Sequence, residues 1–210
     1  TNTWLDADEA AATVNDGVLA TDSTTTWNSY GASDEEYPAT VELNWGDAAY
    51  DISSVRVMWW RDYGGVMPPS DCTLQYYNER SKEWVDITQL VDETGAETSS
   101  VGVKFGTEDT AADSSDDYKE GANRYWNGVS LNETVQASRL RLVINRSGTG
   151  DAGVGIGEVE VYGTEVAKTA GDNVAPLATA SADAQNTPVT NVNNGALATN
   201  AGTSWNTWNS

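Results

Sequence analysis

ISSVRVMW, residues 52–59, alternates apolar and polar side chains with a period of two, which is the pattern of a β-strand that buries one face. VELNW, residues 41–45, has the same alternation. Further short strands are predicted at residues 73–77, 84–87, 139–144 and 159–162. Gly, Pro, Asp and Asn separate these segments, and little of the chain has a helical period. The sequence therefore predicts an all-β fold, an antiparallel β-sandwich.

The chain of 210 residues is strongly acidic, with 32 Asp and Glu against 11 Lys and Arg and a net charge of −21. Such a charge repels phosphate backbones and anionic membrane surfaces, so we predict no nucleic-acid partner and no membrane insertion. The chain has no His, which excludes Ser-His-Asp and Cys-His catalysis and His-ligated zinc. The single Cys72 excludes an internal disulfide and a thiolate metal cluster. Divalent cations and neutral polar ligands remain as partners.

An internal repeat indicates the domain organisation. Residues 14–30 read VNDGVLATDSTTTWNSY, and residues 192–208 read VNNGALATNAGTSWNTW, so nine of 17 positions are identical without a gap. The first copy is followed by well over 100 residues and the second by only two. This pattern predicts one module at residues 1–165, a linker at 166–172, and the opening segment of a second, similar module, truncated, at 173–210.

The aromatic residues are mostly of the type that carries a polar group, because nine Trp and nine Tyr accompany a single Phe. Such side chains stack on the apolar face of a sugar and still form hydrogen bonds. The acidity, the few Lys, the abundant Thr, Asn and Gly and the lack of a disulfide are typical of an extracellular bacterial protein. We therefore expect the chain to be secreted or located on the cell surface.

A neutral sugar needs one ring for its apolar face and a few fixed polar groups for its hydroxyls. The loops at residues 59–63 and 118–126 combine aromatic with polar side chains. The predicted carbohydrate-binding residues are Trp60, Arg61, Asp62, Tyr63, Arg124, Tyr125, Trp126 and Asn127. In the alternative interpretation Arg61 and Asp62 form an ordinary ion pair of the loop. We predict that Trp27 and Trp45 belong to the core, because each lies on the apolar phase of its segment.

The order of several short motifs indicates a family. These motifs lie at residues 14–17 with 27–30, 41–45, 55–68, 74–77 with 84–85, 140–142 and 155–161. Together they resemble the discoidin or coagulation factor 5/8 type C domain. More closely, they resemble the galactose-binding-like modules of carbohydrate-binding module family 32, which are appended to secreted bacterial glycoside hydrolases. The resemblance covers about residues 12–163 and implies a jelly-roll β-sandwich without catalytic activity.

The resemblance also implies a structural calcium ion where the loop after the first strand meets the last strand. Calcium is bound by several hard oxygens from carboxylates, carbonyls and hydroxyls. The candidate ligands are Asp16, Asp22, Ser23, Thr25 and Glu158. In the alternative interpretation Asp16 forms an Asx-turn before Gly17, and Glu158 is a surface charge. In the second copy Asn194 replaces Asp16, so a site there would lack one negative charge.

Three functions follow as hypotheses. The leading one is a non-catalytic carbohydrate-binding module that tethers a neighbouring glycosidase domain of the same polypeptide to a neutral glycan. The second is a structural spacer or adhesion domain of a bacterial surface protein that binds no sugar. The third is a glycosidase with two catalytic carboxylates, but abundant Asp and Glu do not by themselves indicate a pair held in a cleft. We therefore expect no enzymatic activity from this chain.

The resemblance implies an opening strand before each module. Residues 173–182 resemble such a strand, whereas residues 1–13 do not. One prediction is that residues 178–182 supply the first module, in their own chain or in a neighbouring copy, with an edge strand. The alternative is that this segment takes no part in the sandwich.

Overall fold

The computed structural model describes residues 11–20, 25–62, 65–105, 123–148, 152–166, 178–183 and 187–207. The chain divides into two compact units, Thr1–Val166 and Ala167–Ser210. The strands are β1 (Trp27–Asn28), β2 (Ala39–Asn44), β3 (Tyr50–Trp60), β4 (Pro69–Asn78), β5 (Glu83–Asp86), β6 (Leu90–Asp92), β7 (Glu97–Thr98), β8 (Arg124–Ala137), β9 (Arg139–Arg146) and β10 (Gly155–Glu165). Short 3-10 helices lie at Asp34–Glu36 and Val189–Val192. None of the helices in the described ranges is long and apolar enough to cross a membrane.

The strands of the first unit form two antiparallel sheets. Sheet A has the strand order β1-β10-β3-β8-β6-β7, and sheet B has the order β2-β9-β4-β5. Every pair of neighbouring strands in both sheets is antiparallel. The predicted all-β fold, an antiparallel β-sandwich, is therefore confirmed.

The core lies between the two sheets and follows from the alternation of side chains along each strand. Val55, Val57 and Trp59 of β3 are buried in it, together with Leu140 and Leu142 of β9. Burying one such aliphatic side chain stabilises the fold by about 1.5–3 kcal/mol relative to leaving it in water. Trp27 and Trp45, which the sequence assigns to the core, are half-buried and pack against this cluster. Hydrophobic burial on one face of each strand is therefore what selects the pairing.

The long strand β8 was not predicted. The sequence predicts a loop up to Trp126, whereas the structure places Arg124–Ala137 in a strand between β3 and β6. Its sequence, RYWNGVSLNETVQA, contains Gly, Ser and two Asn, which individually favour turns. Pairing with β3 from Trp60 to Tyr50 outweighs those local preferences. The predicted aromatic loop at 118–126 is thus wrong for residues 124–126.

The second unit repeats a turn of the first. In the first copy the amide of Val18 donates to Asp16 Oδ1 at 2.7 Å, and Gly17 has φ +77°. In the second copy the amide of Ala196 donates to Asn194 Oδ1 at 2.9 Å, and Gly195 has φ +75°. The repeat found in the sequence is therefore a repeated Asx-turn, which Asp and Asn serve equally because both offer a side-chain oxygen.

Residues 178–182 do not form a strand. The prediction that this segment supplies an edge strand to its own chain is therefore wrong. The local reason lies in the side-chain contacts of the second unit, where Asn193 Nδ2 donates to the carbonyl of Ala178 at 2.7 Å. Side-chain hydrogen bonds of this kind offer the backbone an alternative to a strand ladder.

Candidate functional site

The face of sheet A that points away from the core carries the candidate site. Since Val55, Val57 and Trp59 point inward, the alternate residues of β3 point outward. Residues directly opposite one another in antiparallel strands share a face. Each outward residue of β3 therefore lies in a row with its partner on β8 and its partner on β10. The rows are Ser54 with Ser130 and Tyr162, Arg56 with Gly128 and Glu160, Met58 with Trp126 and Glu158, and Trp60 with Arg124 and Gly155. One end of this outer face is covered and the other is open.

At the covered end, Met58 and Trp60 are buried although they point away from the core. A Cβ atom built on Gly157 would lie 2.9 Å from Ala20 Cβ, so the segment at residues 14–20 lies directly on β10. Arg124 Nη1 donates to the carbonyl of Ala20 at 2.6 Å and holds this segment in place. Trp60, at 0% exposure, offers no surface to a sugar. Its assignment to the carbohydrate-binding residues is therefore wrong.

Glu158 lies at the covered end and is only 3% exposed. Its Oε2 atom is buried and has no hydrogen-bond partner among the described residues. Burial, and after it the nearby negative charge of Asp16, raise the pKa of Glu158 to about 7. The interpretation of Glu158 as a surface charge is therefore wrong, whereas Asp16 does form the Asx-turn before Gly17. A buried oxygen without a partner beside a second carboxylate fits a bound cation.

The structure brings together only part of the predicted calcium ligand set. Asp16 and Glu158 are close enough for their charges to interact. Thr25 is half-buried before β1, and Asp22 and Ser23 lie outside the described residues. Within the described ranges no three His, Cys, Asp or Glu side chains form a metal-binding group. A calcium ion at this place would therefore take its other ligands from carbonyls, hydroxyls or the neighbouring segment at 21–24.

At the open end, four side chains of the outer face form one connected cluster. The Arg56 guanidinium lies 4.2 Å from the ring centre of Trp126 and 5.9 Å from that of Tyr162. Arg56 Nε and the Tyr162 hydroxyl both donate to Glu160 Oε2. The hydrogen bond from Arg56 lowers the pKa of Glu160, so this carboxylate is charged at neutral pH. A cation, an anion and two aromatic rings are thus fixed relative to one another on the surface.

A groove of about 180 Å³ adjoins this cluster. Its polar lining consists of Ser54, Arg56, Asp92, Glu93, Ser130 and Tyr162. Gly128 forms part of its floor, and a Cβ atom there would lie 2.7 Å from Glu93 Oε1. Any larger residue at position 128 would therefore displace Glu93 or narrow the groove. Tyr162, at 47% exposure, presents the most open ring of the cluster.

Asp92 fixes the edge of the groove that lies after β6. Its Oδ1 accepts hydrogen bonds from the amides of Thr94 and Ala96 and from the Thr94 hydroxyl, at 2.6–3.0 Å. These bonds lower the pKa of Asp92 to about 2, and Lys104 Nζ lies 3.7 Å from Oδ2. The turn at 92–96, and with it Glu93, is therefore held by a carboxylate that stays ionised.

The remaining predicted sugar ligands lie elsewhere. Arg61 stacks on Phe105 at 4.4 Å, and Asp62 Oδ1 accepts the amides of Gly65 and Val66, which fixes that turn. Asn127 is 5% exposed, and its amide group bonds to both backbone groups of Lys104. Asn127 is therefore a structural residue, and its assignment as a sugar ligand is wrong.

Only part of the predicted set shares the outer face. Tyr125 is half-buried and points to the same side of β8 as Asn127, and Tyr63 lies outside the described residues. Of the seven predicted residues that the structure describes, only Trp60, Arg124 and Trp126 lie together on the outer face.

Sequence reasoning missed Arg56, Glu160 and Tyr162. The signal was present, because each occupies an outward position in a strand that was itself predicted. What the sequence does not contain is the register that places these positions in adjacent rows.

The open face of sheet B also carries aromatic rings, but these contact the protein's own cations. Arg139 lies 3.5 Å from the ring centre of Tyr77, and Arg141 lies 4.3 Å from that of Trp84. The Gln75 side-chain oxygen also accepts a hydrogen bond from Arg141 Nε at 2.6 Å on this face. Because these two rings already contact arginine side chains, the groove of sheet A is the better candidate for a ligand site.

A pH dependence follows from Asp92. Because its pKa in the folded state lies below the ordinary 3.8, its contribution to stability is present above pH 4 and is lost as pH falls towards 2. Asp92→Asn keeps the Oδ1 acceptor but does not titrate. Urea unfolding at pH 2–5 should therefore show a smaller loss of stability with acid in Asp92→Asn than in the unsubstituted chain.

The control for this experiment is Asp47→Asn, which removes an exposed carboxylate from an unrelated turn. It should follow the unsubstituted chain over the whole range. Parallel curves for Asp92→Asn and the unsubstituted chain would show that the turn at 92–96 gains nothing from ionised Asp92.

The chain matches no protein-family model and no curated protein. Among solved structures it is similar to one of the Streptococcus pneumoniae beta-galactosidase BgaA, with 15% identity and a TM-score of 0.51 over 76% of this chain and 88% of that one. It is also similar to an F5/8 type C domain from Bacteroides fragilis, with 14% identity and a TM-score of 0.47 over 77% and 85%. A third is the Clostridium perfringens module CpGH89CBM32-6, with 17% identity and a TM-score of 0.42 over 76% and 88%. The likeness to the BgaA structure shows a shared fold, as the sequence resemblance predicts.

Proposed function

We propose that the first unit is a non-catalytic carbohydrate-binding module and that it binds a neutral glycan in the groove of sheet A. The observation that supports this is the cluster of Arg56, Trp126, Glu160 and Tyr162 beside an open groove. Sugar recognition requires a ring for the apolar face and fixed donors and acceptors for the hydroxyls. The cluster supplies the ring, the donors and the acceptors in one place.

Each member of the cluster has a distinct role in this proposal. The exposed ring of Tyr162 stacks on the sugar, and Arg56 donates to a hydroxyl that Glu160 or a Ser side chain also contacts. Trp126 is a positioning residue, because its ring holds the Arg56 guanidinium in place. Since these groups already contact one another, binding costs little side-chain ordering.

The charge states of the carboxylates support binding without catalysis. A glycosidase needs a general acid whose pKa is raised above its ordinary value. The pKa values of Glu160 and Asp92, both at the groove, are lowered instead. Glu158 has the raised pKa, but it is buried at the covered end. Acid catalysis in the groove therefore has no suitable donor among these residues.

The wider context is also proposed. A module of this type, in a secreted or cell-surface bacterial protein, tethers a neighbouring glycosidase domain to its glycan. The resemblance to family 32 modules supports this, as does the fold shared with a structure of a beta-galactosidase. The alternative, a spacer or adhesion domain, differs in a single property, since it binds no sugar.

A structural calcium ion is part of the proposal. Asp16 and Glu158 would hold it, with Asp22, Ser23 and Thr25 as the further ligands that the sequence offers. Calcium would supply a positively charged partner for the two carboxylates, and it would fix the segment at residues 14–20 on sheet A. That segment covers Met58, which lies in the same row as Trp126.

Glycan binding is tested with an array in calcium buffer, followed by calorimetry on the best ligand. We expect a Kd on the order of 0.1–1 mM, because a shallow groove buries little of a sugar. Tyr162→Ala and Arg56→Gln should each raise the Kd at least about tenfold, the loss of roughly 1.4 kcal/mol of binding energy. Both variants should keep the circular dichroism spectrum of the unsubstituted chain.

The matched control is Arg139→Gln, which removes a ring-stacked arginine from the open face of sheet B. It should bind glycan as the unsubstituted chain does. Absence of any glycan ligand supports the spacer function instead, and equal loss in all three variants contradicts the placement of the site.

Calcium binding is tested by thermal unfolding with calcium and with chelator. A ligand that binds only the folded state stabilises it by about 2.7 kcal/mol at a concentration of 100 times its Kd, so calcium should raise the Tm by several degrees. Glu158→Gln should abolish this increment. Glu160→Gln, a control on the same strand face, should retain it. A Tm that is the same in calcium and chelator rules the ion out.

A further inference from the structure

A second cleft, of about 450 Å³, lies at the opposite end of the sandwich from Trp60. It is bordered by the turn that follows β4 and by the last residues of β8. Gln136 in this cleft and Gly128 in the groove are eight strand residues apart, roughly 26 Å at the rise of an extended chain. The cleft is therefore separate from the groove. Its volume lies in the range of about 300–1,000 Å³ that small-molecule sites occupy.

The small residues Ala49 and Ala137 line this cleft and leave room where larger side chains would fill it. Tyr76 also lines it and packs with one side against the core cluster. The cleft thus has one aromatic wall that the core holds in position, which is the form of a pre-organised site.

Arg80, at the border of the cleft, is unlike the other arginines. The chain has seven arginines, and six of them contact an aromatic ring, a carboxylate or a backbone carbonyl: Arg56, Arg61, Arg124, Arg139, Arg141 and Arg146. The Arg80 guanidinium makes no hydrogen bond, ion pair or ring contact with any described residue. Among the described residues, this guanidinium thus has no partner at the edge of the cleft, in an acidic protein with only 11 basic residues.

The acidic neighbour of Arg80 is already neutralised. Glu79 accepts from Lys82 Nζ at 2.8 Å and from the Ser138 hydroxyl at 2.9 Å, and these bonds lower the pKa of Glu79. The positive charge of Arg80 is therefore not compensated by the carboxylate next to it. The net negative charge of the chain repels an anionic ligand in the cleft only weakly, because charges more than about 8 Å away are screened at physiological ionic strength.

Two hydroxyl groups in the cleft also have no partner among the described residues, those of Tyr76 and Thr134. Gln136 donates through Nε2 to Asp51 at 3.3 Å, which leaves its carbonyl oxygen as an acceptor. A planar guanidinium pairs with a carboxylate through two parallel hydrogen bonds, and hydroxyl and amide groups pair with sugar hydroxyls. The unused groups of the cleft match one chemical class, a polyhydroxylated ring that bears a carboxylate.

We propose that this cleft is a second binding site and that it takes an acidic saccharide, with Arg80 on the carboxylate and Tyr76, Thr134 and Gln136 on the hydroxyls. The site shares no residue with the groove of sheet A and does not rest on glycan binding there. An acidic and a neutral saccharide would be recognised at two ends of one domain.

The probes are glucuronate and glucose, which have the same ring hydroxyls and differ in the carboxylate alone. In an NMR titration of the 15N-labelled full chain, glucuronate should shift the amides of residues 134–138 and of Arg80, with a Kd on the order of 1–10 mM. Glucose should bind at least about tenfold more weakly, because it leaves the guanidinium unpaired. Equal shifts with both sugars, or shifts outside the cleft only, overturn the proposal.

The variants separate this site from the groove and from simple charge. Arg80→Gln should abolish the preference for glucuronate, whereas Lys104→Gln, which removes the same charge beyond the 92–96 turn, should retain it. Tyr162→Ala should leave glucuronate binding unchanged, so that failure of the groove and failure of the cleft are distinguishable. Acetate should bind at least tenfold more weakly than glucuronate, and equal binding of acetate overturns the assignment to a saccharide.

Discussion

The pairing of β3 with β10 on one side and β8 on the other is the constraint on which the rest of the structure depends. Its register is fixed because Val55, Val57 and Trp59 are buried between the sheets. A slip of one residue would turn Arg56 and Met58 into the core and expose all three apolar side chains, at a cost of several kcal/mol. The same alternation therefore builds the core on one face of sheet A and sets the rows of the other face.

That outer face is divided into two parts by a single segment. The first copy of the repeat covers Met58 and brings Asp16 to Glu158, which accounts for a buried carboxylate with a raised pKa in a strand that is otherwise apolar or exposed. Beyond the segment, Arg56 and its partners remain open beside the groove. The proposed calcium site and the proposed glycan site thus lie on adjacent rows of one strand pairing, and the segment separates them.

The sequence predicts the sandwich well because alternation is a local signal, and ISSVRVMW contains it in eight residues. It predicts Asp16 and Glu158 as partners only through the family resemblance, since 142 residues separate them in the chain. It fails for Trp60, because an aromatic side chain near a loop is predicted to be exposed until the covering segment is known. It fails for Asn127, because the sequence does not show that this amide bonds to the Lys104 backbone. It misses Tyr162 for another reason: the position of a residue in a strand does not show which residues of the adjacent strands lie beside it.

The central claim is that the outward rows of sheet A form a glycan site. The most direct measurement is a crystal structure of the full chain with calcium and its best-binding glycan. We expect a pyranose ring against Tyr162, with hydroxyls within hydrogen-bond distance of Arg56 and Glu160. A sugar bound only by the loops around Arg61 and Asp62, with the groove empty, would contradict it.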